Sequence, residues 1–419
     1  MVPKGWELTC LGDIADTTMG YAFKSKDFVK NGIPLIRMGN LYQNKLDLSR
    51  SPIFLPREFA ADYERFVLKS GDLVMSMTGT MGKRDYGFTV QIPEGTPDSL
   101  LNQRVMKFES KANSYLEYLK YLLRSEFFLA RLYAFPGGTK QANISALQVR
   151  EIPTLLPPRP EQQKIAQLLS TWDNAISTTE KLITNSKQQK KALMQQLLTG
   201  KKRLVNPETG KAFEGDWEEI TLGQLGQTFT GLTGKTKNDF GDGAKYVPYI
   251  NIFKNSAVKI DCLERVKVYE NEKQNTVKYG DIFFTTSSET PEEVGMSSVM
   301  LTAIDEPVYL NSFCFGFRPN NLGHTLPEFM QYLLRSNKVR KPISVLAQGA
   351  TRYNLSKVQL LKISFNIPSA PEQQQIASAL KVADKEIELL EAKLAHFKQE
   401  KKALMQQLLT GKRRVKIAA

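Results

Sequence analysis

Lys190-Lys191-Ala192-Leu193-Met194-Gln195-Gln196-Leu197-Leu198-Thr199-Gly200-Lys201 returns unchanged as Lys401-Lys402-Ala403-Leu404-Met405-Gln406-Gln407-Leu408-Leu409-Thr410-Gly411-Lys412, 211 positions later. Chance does not write twelve residues twice, so the chain carries an internal repeat. The same displacement maps Pro160-Glu161-Gln162-Gln163 onto Pro371-Glu372-Gln373-Gln374, Trp6-Glu7 onto Trp217-Glu218, Leu122-Leu123-Arg124-Ser125 onto Leu333-Leu334-Arg335-Ser336, and Asn143-Ile144-Ser145 onto Asn354-Leu355-Ser356. A unit of about 210 residues is too long for a solenoid repeat, so each copy reads as a domain plus a connector. Agreement is close in the stretches ending at Gly200 and Gly411 and patchy before them. A shared frame carries two diverged heads.

The frame reads as helix. Pro160 and Pro371 suit the first helical turn, Glu161 and Glu372 suit its dipole, and Gly200 and Gly411 suit a left-handed stop. Apolar residues follow a four-three spacing at Ile376, Leu380, Ala383, Ile387, Leu390, Leu394 and Phe397, then at Leu404 and Leu408 after a polar Lys401. That is a coiled-coil seam. The first copy keeps the register with Ile165, Leu169, Trp172, Ile176, Ile183, Leu193 and Leu197, while Thr179, Ser186 and Lys190 weaken its middle. Lys412-Arg413-Arg414-Val415 repeats Lys201-Lys202-Arg203-Leu204, the link into the second head, so the chain's end is expected back beside the first head, with the helices antiparallel.

The heads, in contrast, hold short apolar runs such as Ile33 to Met38, Asp72 to Met77, Tyr246 to Ile252 and Asp281 to Thr285, broken by Gly, Pro and Asn, with helical patterns near Tyr115 to Leu132 and Leu326 to Arg340. The expected fold class is α+β: two mixed α/β domains joined by two long helices in an antiparallel coiled coil, with a pseudo-two-fold internal repeat. The expected divisions are a first head at 1–158, a first helix at 159–203, a linker and second head at 204–369, and a second helix with a basic tail at 370–419.

A net charge of +14 favours a polyanionic partner. Three widely spaced cysteines, Cys10, Cys262 and Cys314, form neither a disulfide framework nor a zinc ribbon, and the first residues lack the apolar run of a signal peptide. With no apolar stretch long enough to span a bilayer, the expectation is a cytoplasmic protein.

Catalysts are scarce. The two histidines, His324 and His396, cannot supply a Ser/His/Asp triad or a His-rich metal site. Gly234-Lys235-Thr236 resembles the end of a phosphate-binding loop, but Phe229 stands where that loop requires glycine. No glycine-rich cofactor loop or Asn-Pro-Pro-aromatic tetrapeptide of a DNA methyltransferase occurs, the nearest approach being Asn206-Pro207-Glu208-Thr209. No catalytic residue, metal site or cofactor is therefore expected in the chain itself. A stand-alone nuclease or ATPase would explain only the charge; a coiled-coil adaptor would explain the helices and not the two large heads.

Basic clusters at Lys187 to Arg203 and Lys398 to Lys416 complement helix C-termini and also offer contacts to phosphates or to a partner. In the heads, polar and basic side chains on loops flanked by glycine suit phosphates and base edges. The candidates are Lys83, Arg84, Lys140, Gln141 and Asn143 in the first head, and Lys235, Lys237, Arg352 and Asn354 in the second.

Two differing heads, each followed by a near-identical helix from Pro-Glu-Gln-Gln to Leu-Leu-Thr-Gly-Lys, is a layout that resembles the specificity subunits of type I restriction-modification enzymes. Gly20-Tyr21-Ala22-Phe23-Lys24-Ser25, Pro34-Leu35-Ile36-Arg37-Met38-Gly39-Asn40 and Gly138-Thr139-Lys140-Gln141-Ala142-Asn143-Ile144-Ser145 are similar to that family too. The resemblance implies a non-catalytic subunit whose heads each read half of a split, asymmetric site in double-stranded DNA. The helices would act as spacer and dock two modification subunits that methylate adenine with S-adenosylmethionine. Two restriction subunits using ATP and Mg could join. The second half departs from the first where Gly231-Leu232-Thr233-Gly234-Lys235-Thr236 replaces Tyr21-Ala22-Phe23, so base contacts are not expected to carry over residue by residue from one head to the other.

Overall fold

The repeated frame folds as two helices of 39 residues each, Arg159–Leu197 and Ala370–Leu408. Each begins one residue before its proline, which leaves the proline ring in the first turn where no amide hydrogen is needed. Gly200 and Gly411 follow the last turns with φ of +72° and +67°, the left-handed conformation that ends a helix at little steric cost. These relations come from a computed structural model that describes residues 2–135 and 141–417. Its contacts divide the chain into two units, Met1–Glu180 with Ala392–Ala419, and Lys181–Glu391.

In the first unit an antiparallel sheet has the strand order Ala15–Met19, Val105–Ser110, Leu73–Ser76, Thr89–Gln91. A smaller sheet pairs Ile33–Ile36 in parallel with Ser99–Leu101. Glu7–Cys10 pairs with Pro153–Leu156, closing the head at its junction with the long helix. The second unit repeats the plan. Gly226–Thr230, Cys314–Pro319, Ile282–Thr285 and Ser297–Val299 form its antiparallel sheet, Phe240–Val247 pairs in parallel with Val308–Leu310, and Glu218–Thr221 pairs with Ser364–Ile367. Both heads are thus mixed α/β.

Within each unit the start of one long helix packs antiparallel on the end of the other. In the first, the Trp172 and Phe397 rings meet edge-on at 5.6 Å, Lys401 bonds Asp173 at 2.5 Å, and Lys398 bonds Glu180 at 2.8 Å. In the second, Lys190 bonds Asp384, Ser186 donates to Glu386 at 3.2 Å, and Lys187 bonds Glu391 at 2.6 Å. The helix roots are continuous with the heads. Ile165, Leu169 and Leu408 belong to the core of the first head, and Leu197, Ile376 and Leu380 to that of the second. Leu404 and Leu193 pack against those cores, Ile387 is buried, and Ile176 and Leu394 are half-buried.

Several repeated phrases prove to be fastenings. The buried carboxylate of Glu161 grips Arg414 at 2.6 and 2.7 Å, and that of Glu372 grips Arg203 at the same distances. The Gln162 amide donates to the carbonyls of Asn113 and Pro157 and accepts from the Tyr115 amide; Gln373 does the same with His324, Pro368 and Leu326. Arg335 donates to the carbonyls of Ile252, Asn255 and Ser297, and burial pushes its guanidinium down to about 10. In the first unit Arg124 donates to Thr89. The chain's end returns to its start: Arg414 also donates to the Lys4 carbonyl, and a Cβ at Gly411 would collide with the Pro3 ring.

Candidate nucleic-acid interface

In the first unit Thr78–Thr80 pairs with Gln141–Asn143, which sets Gln141 opposite Thr80 and Asn143 opposite Thr78. Alternation along so short a ribbon buries Ala142 and leaves Gln141 and Asn143 exposed. The loop that leaves Thr80 carries Lys83 and Arg84, so four of the candidates share one projecting ribbon. Lys83 is exposed; Arg84 bonds Glu126 at 2.7 Å and lies over the Tyr133 ring. Ser145 then caps the short helix Ala146–Arg150, and its reciprocal bond with Gln148 fixes the chain beyond Asn143.

Beside that ribbon are two concavities of about 390 and 340 Å³ that share Gln103 and Arg104. One also takes in Arg37, Arg50 and Asn102, and the other Asn143 and Ser145. Gln103 and Arg104 are exposed, and among the described residues neither side chain has a hydrogen bond or ion pair. Arg37 donates to the Ser51 carbonyl at 2.9 Å, yet its Nε is buried without a partner among the described residues. A buried donor without an acceptor is costly, which suits a surface completed by a ligand rich in acceptors. Arginine, asparagine and glutamine gathered in one place carry the donors that match guanine and adenine edges and phosphates.

The second unit places Asn354 on Tyr353–Leu355, between Ser287–Ser288 and Ala347–Gln348, and sets Arg352 exposed just before it. The loop after Ser288 carries Glu289, Glu292 and Glu293, where the first unit has Lys83 and Arg84. At the end of its parallel strands stand Ile250, 47% exposed, and Phe313, 62% exposed. The corresponding surface of the first unit is basic.

The remaining candidates fall elsewhere. Lys140 lies outside the described residues. In this structure Lys235 is folded inward: its side chain is 2% exposed, bonds Glu272 at 2.5 Å and lies over the Tyr269 ring. Lys237 is exposed on the turn Lys237–Asp239, which precedes the strand Phe240–Val247. Arg37, Arg50, Gln103, Arg104, Ile250 and Phe313 were not singled out from sequence. Their only early signal was the position of Arg37 inside a family-like phrase.

Among the described residues no group of three or more His, Cys, Asp or Glu is placed to hold a metal ion, and no helix is long and apolar enough to cross a membrane.

A doubled α/β head, each copy followed by a long helix and gathering arginine, asparagine or glutamine on exposed loops, has the plan of a recognition module. Comparison with known proteins specifies it. The type I restriction modification DNA specificity domain matches residues 3–186 and again 214–399, and the chain belongs to that family. It is a DNA-recognition subunit of a type I restriction-modification system and is not itself catalytic. The putative type I restriction enzyme MjaX specificity subunit of Methanocaldococcus jannaschii is 26% identical over 432 residues, covering 99% of this chain and 95% of the relative. The MjaVIII specificity subunit of the same organism is 33% identical over 208 residues, 49% of this chain and 48% of the relative; that match spans about half of each. Among solved structures, the fold matches the S subunit from M. genitalium with a TM-score of 0.57 at 14% identity, covering 100% of this chain and 97% of that one. A chain from a structure on complex assembly of the type I system matches at 0.60 and 16% identity, covering 99% and 100%.

Proposed function

We propose that each head reads one half of a split, asymmetric site in double-stranded DNA, and that the helical frame holds two copies of a modification subunit. Those partners supply adenine methylation with S-adenosylmethionine, and the same frame admits two restriction subunits that use ATP and Mg. The assembly works in the cytoplasm, where its DNA lies. The modules are 1–158 and 204–369. Within them Lys83, Arg84, Gln141 and Asn143, then Lys237, Arg352 and Asn354, contact the duplex.

The observation that carries this reading is that exposed residues, and not only core ones, are identical between the two copies of the frame. In the second unit Lys191, Gln195 and Gln196 line a groove of about 720 Å³ against the head helix Asn337–Val345. Lys402 and Gln406, the counterparts of Lys191 and Gln195, line smaller grooves in the first unit against Glu126. Exposed residues tolerate exchange, so their identity beside diverged heads supports one partner that meets each copy alike. Native mass spectrometry of the assembled complex tests this. Two modification subunits per chain are expected; one per chain, or an assembly unaffected by Gln195→Ala with Gln406→Ala, argues against it. Exchanging residues 1–158 for another head should change one half of the methylated motif and leave the other.

A further inference from the structure

We infer that Arg104 and Phe313 are the specificity-determining residues of their units, Arg104 selecting guanine and Phe313 selecting thymine through its 5-methyl group. The inference rests on the reading of each head as the reader of one half-site.

The two residues hold the same structural position. The Arg104 amide donates to Oδ1 of Asn102 at 3.3 Å, and the Phe313 amide to Oδ1 of Asn311 at 2.8 Å. The Arg104 carbonyl accepts from the Met77 amide at 2.9 Å, and the Phe313 carbonyl from the Thr286 amide at 3.1 Å. Met77 in turn accepts from Ile144 at 3.2 Å and Thr286 from Leu355 at 2.9 Å. In both units the backbone fastens this loop to the strand that bears the repeated asparagine, Asn143 or Asn354. The backbone does the structural work, so the side chain is free to vary.

What varies is the chemistry on offer. Arg104 is exposed and unpaired among the described residues, beside Gln103, Arg50 and Arg37. A guanidinium presents two parallel donors that fit O6 and N7 of guanine. Phe313 joins none of the hydrophobic clusters formed by the described residues and leaves 62% of its surface exposed. Ile250 emerges at the same end of the parallel strands Phe240–Val247 and Val308–Leu310, so that end carries two exposed apolar side chains. An apolar side chain reads the thymine methyl, the one apolar feature of the major-groove edge. Ring and arginine are therefore alternative readers at one position.

The test is methylome sequencing of strains expressing the full complex with Arg104→Gln, Arg104→Lys, Phe313→Ala or Phe313→Leu. Exchange of residues 1–158 identifies which half of the motif belongs to the first head. That half is expected to contain a guanine whose preference falls roughly 5- to 150-fold in R104Q, with adenine gaining, and falls less in R104K. F313A is expected to lose a thymine preference in the other half, and F313L to retain most of it. Neither side chain is in a core, so native-like melting and partner assembly are expected for all four. A native half-site without guanine, or R104Q and F313A strains that methylate the native motif unchanged, would overturn the assignment. If exchanging 1–158 itself changes no base, the reading of the heads fails and the assignment falls with it; a motif that responds to the exchange but not to R104Q defeats the assignment alone.

Discussion

Glu161, 1% exposed, receives both arms of the Arg414 guanidinium and, at 3.0 Å, the indole nitrogen of Trp6. Its counterpart Glu372 is held by Arg203 alone among the described residues, because the Trp217 indole nitrogen has no partner there. Removing the cation from a buried pair leaves a charge that the interior solvates poorly. Arg203→Ala should therefore destabilise the second unit by about 3–5 kcal/mol. Arg414→Ala should cost the first unit less, about 2–3 kcal/mol, since Trp6 still donates and the exposed edge admits water. Denaturant titrations of the two variants check the order, and a larger loss for Arg414→Ala would contradict it.

Alkaline pH offers a second measurement. Burial, and then the nearby carboxylate of Asp173, raises the Tyr121 phenol above its usual 10.0; burial, and then the hydrogen bond to Asp384, does the same for Tyr332. Folded protein keeps both phenols neutral while the unfolded chain ionises them from about pH 10. The sign follows from linkage: their contribution is fully present below the unfolded pKa and is lost as pH rises above it. Tyr121→Phe and Tyr332→Phe should therefore flatten the fall of melting temperature between pH 9.5 and 11, although each lowers it at neutral pH by removing a hydrogen bond. Parallel curves for variant and parent would show that these phenols do not set the alkaline limit.

The frame was legible because its signal is local. A twelve-residue identity and a four-three apolar spacing need no tertiary information, and the cores at Ile165, Leu169, Ile376 and Leu408 follow from them. Chemistry acting across the fold was harder to read. Glu161 and Glu372 looked like residues that favour a helix start, and they turned out to be buried clamps for arginines distant in sequence. Lys190 looked like a flaw in the seam, yet it bonds Asp384, and Lys401 bonds Asp173. Lys235 reads as an exposed basic loop until Glu272 is folded beneath it. Arg104 and Phe313 became visible only once their loop was placed beside the ribbons bearing Asn143 and Asn354, since exposure is a property of the folded chain.

Seam leucines should separate stability of the frame from recognition by the heads. Leu408 is 1% exposed, in the core shared by the helix root and the first head. Leu408→Ala should cost about 2–4 kcal/mol through lost burial and the cavity left behind. Leu404→Ala, at a half-buried site, should cost less. Both should lower the yield of assembled complex while the complexes that form methylate an unchanged motif. A shifted motif in the Leu408→Ala strain would tie base reading to the seam and contradict the division of labour.

Phosphate contacts and base contacts should part under salt. Lys83 is exposed on the ribbon loop of the first unit, and among the described residues its cation has no ion pair, whereas Arg84 is held by Glu126. A lysine that neutralises a phosphate releases counterions and lowers affinity equally for all sequences when lost. Lys83→Ala should reduce the slope of log affinity against log salt by about 1, leaving the motif intact. Arg84→Ala should change the slope less, because its charge is already matched by Glu126. In the second unit the equivalent loop bears Glu289, Glu292 and Glu293, which repel phosphates, so Glu292→Gln with Glu293→Gln should tighten DNA binding at low salt and lose that advantage at high salt. Fluorescence anisotropy of the complete methyltransferase complex across a salt series decides among these. A Lys83→Ala slope equal to that of the parent would place this lysine away from the backbone, and a Glu292→Gln, Glu293→Gln double variant with unaltered affinity would place the acidic loop clear of the duplex.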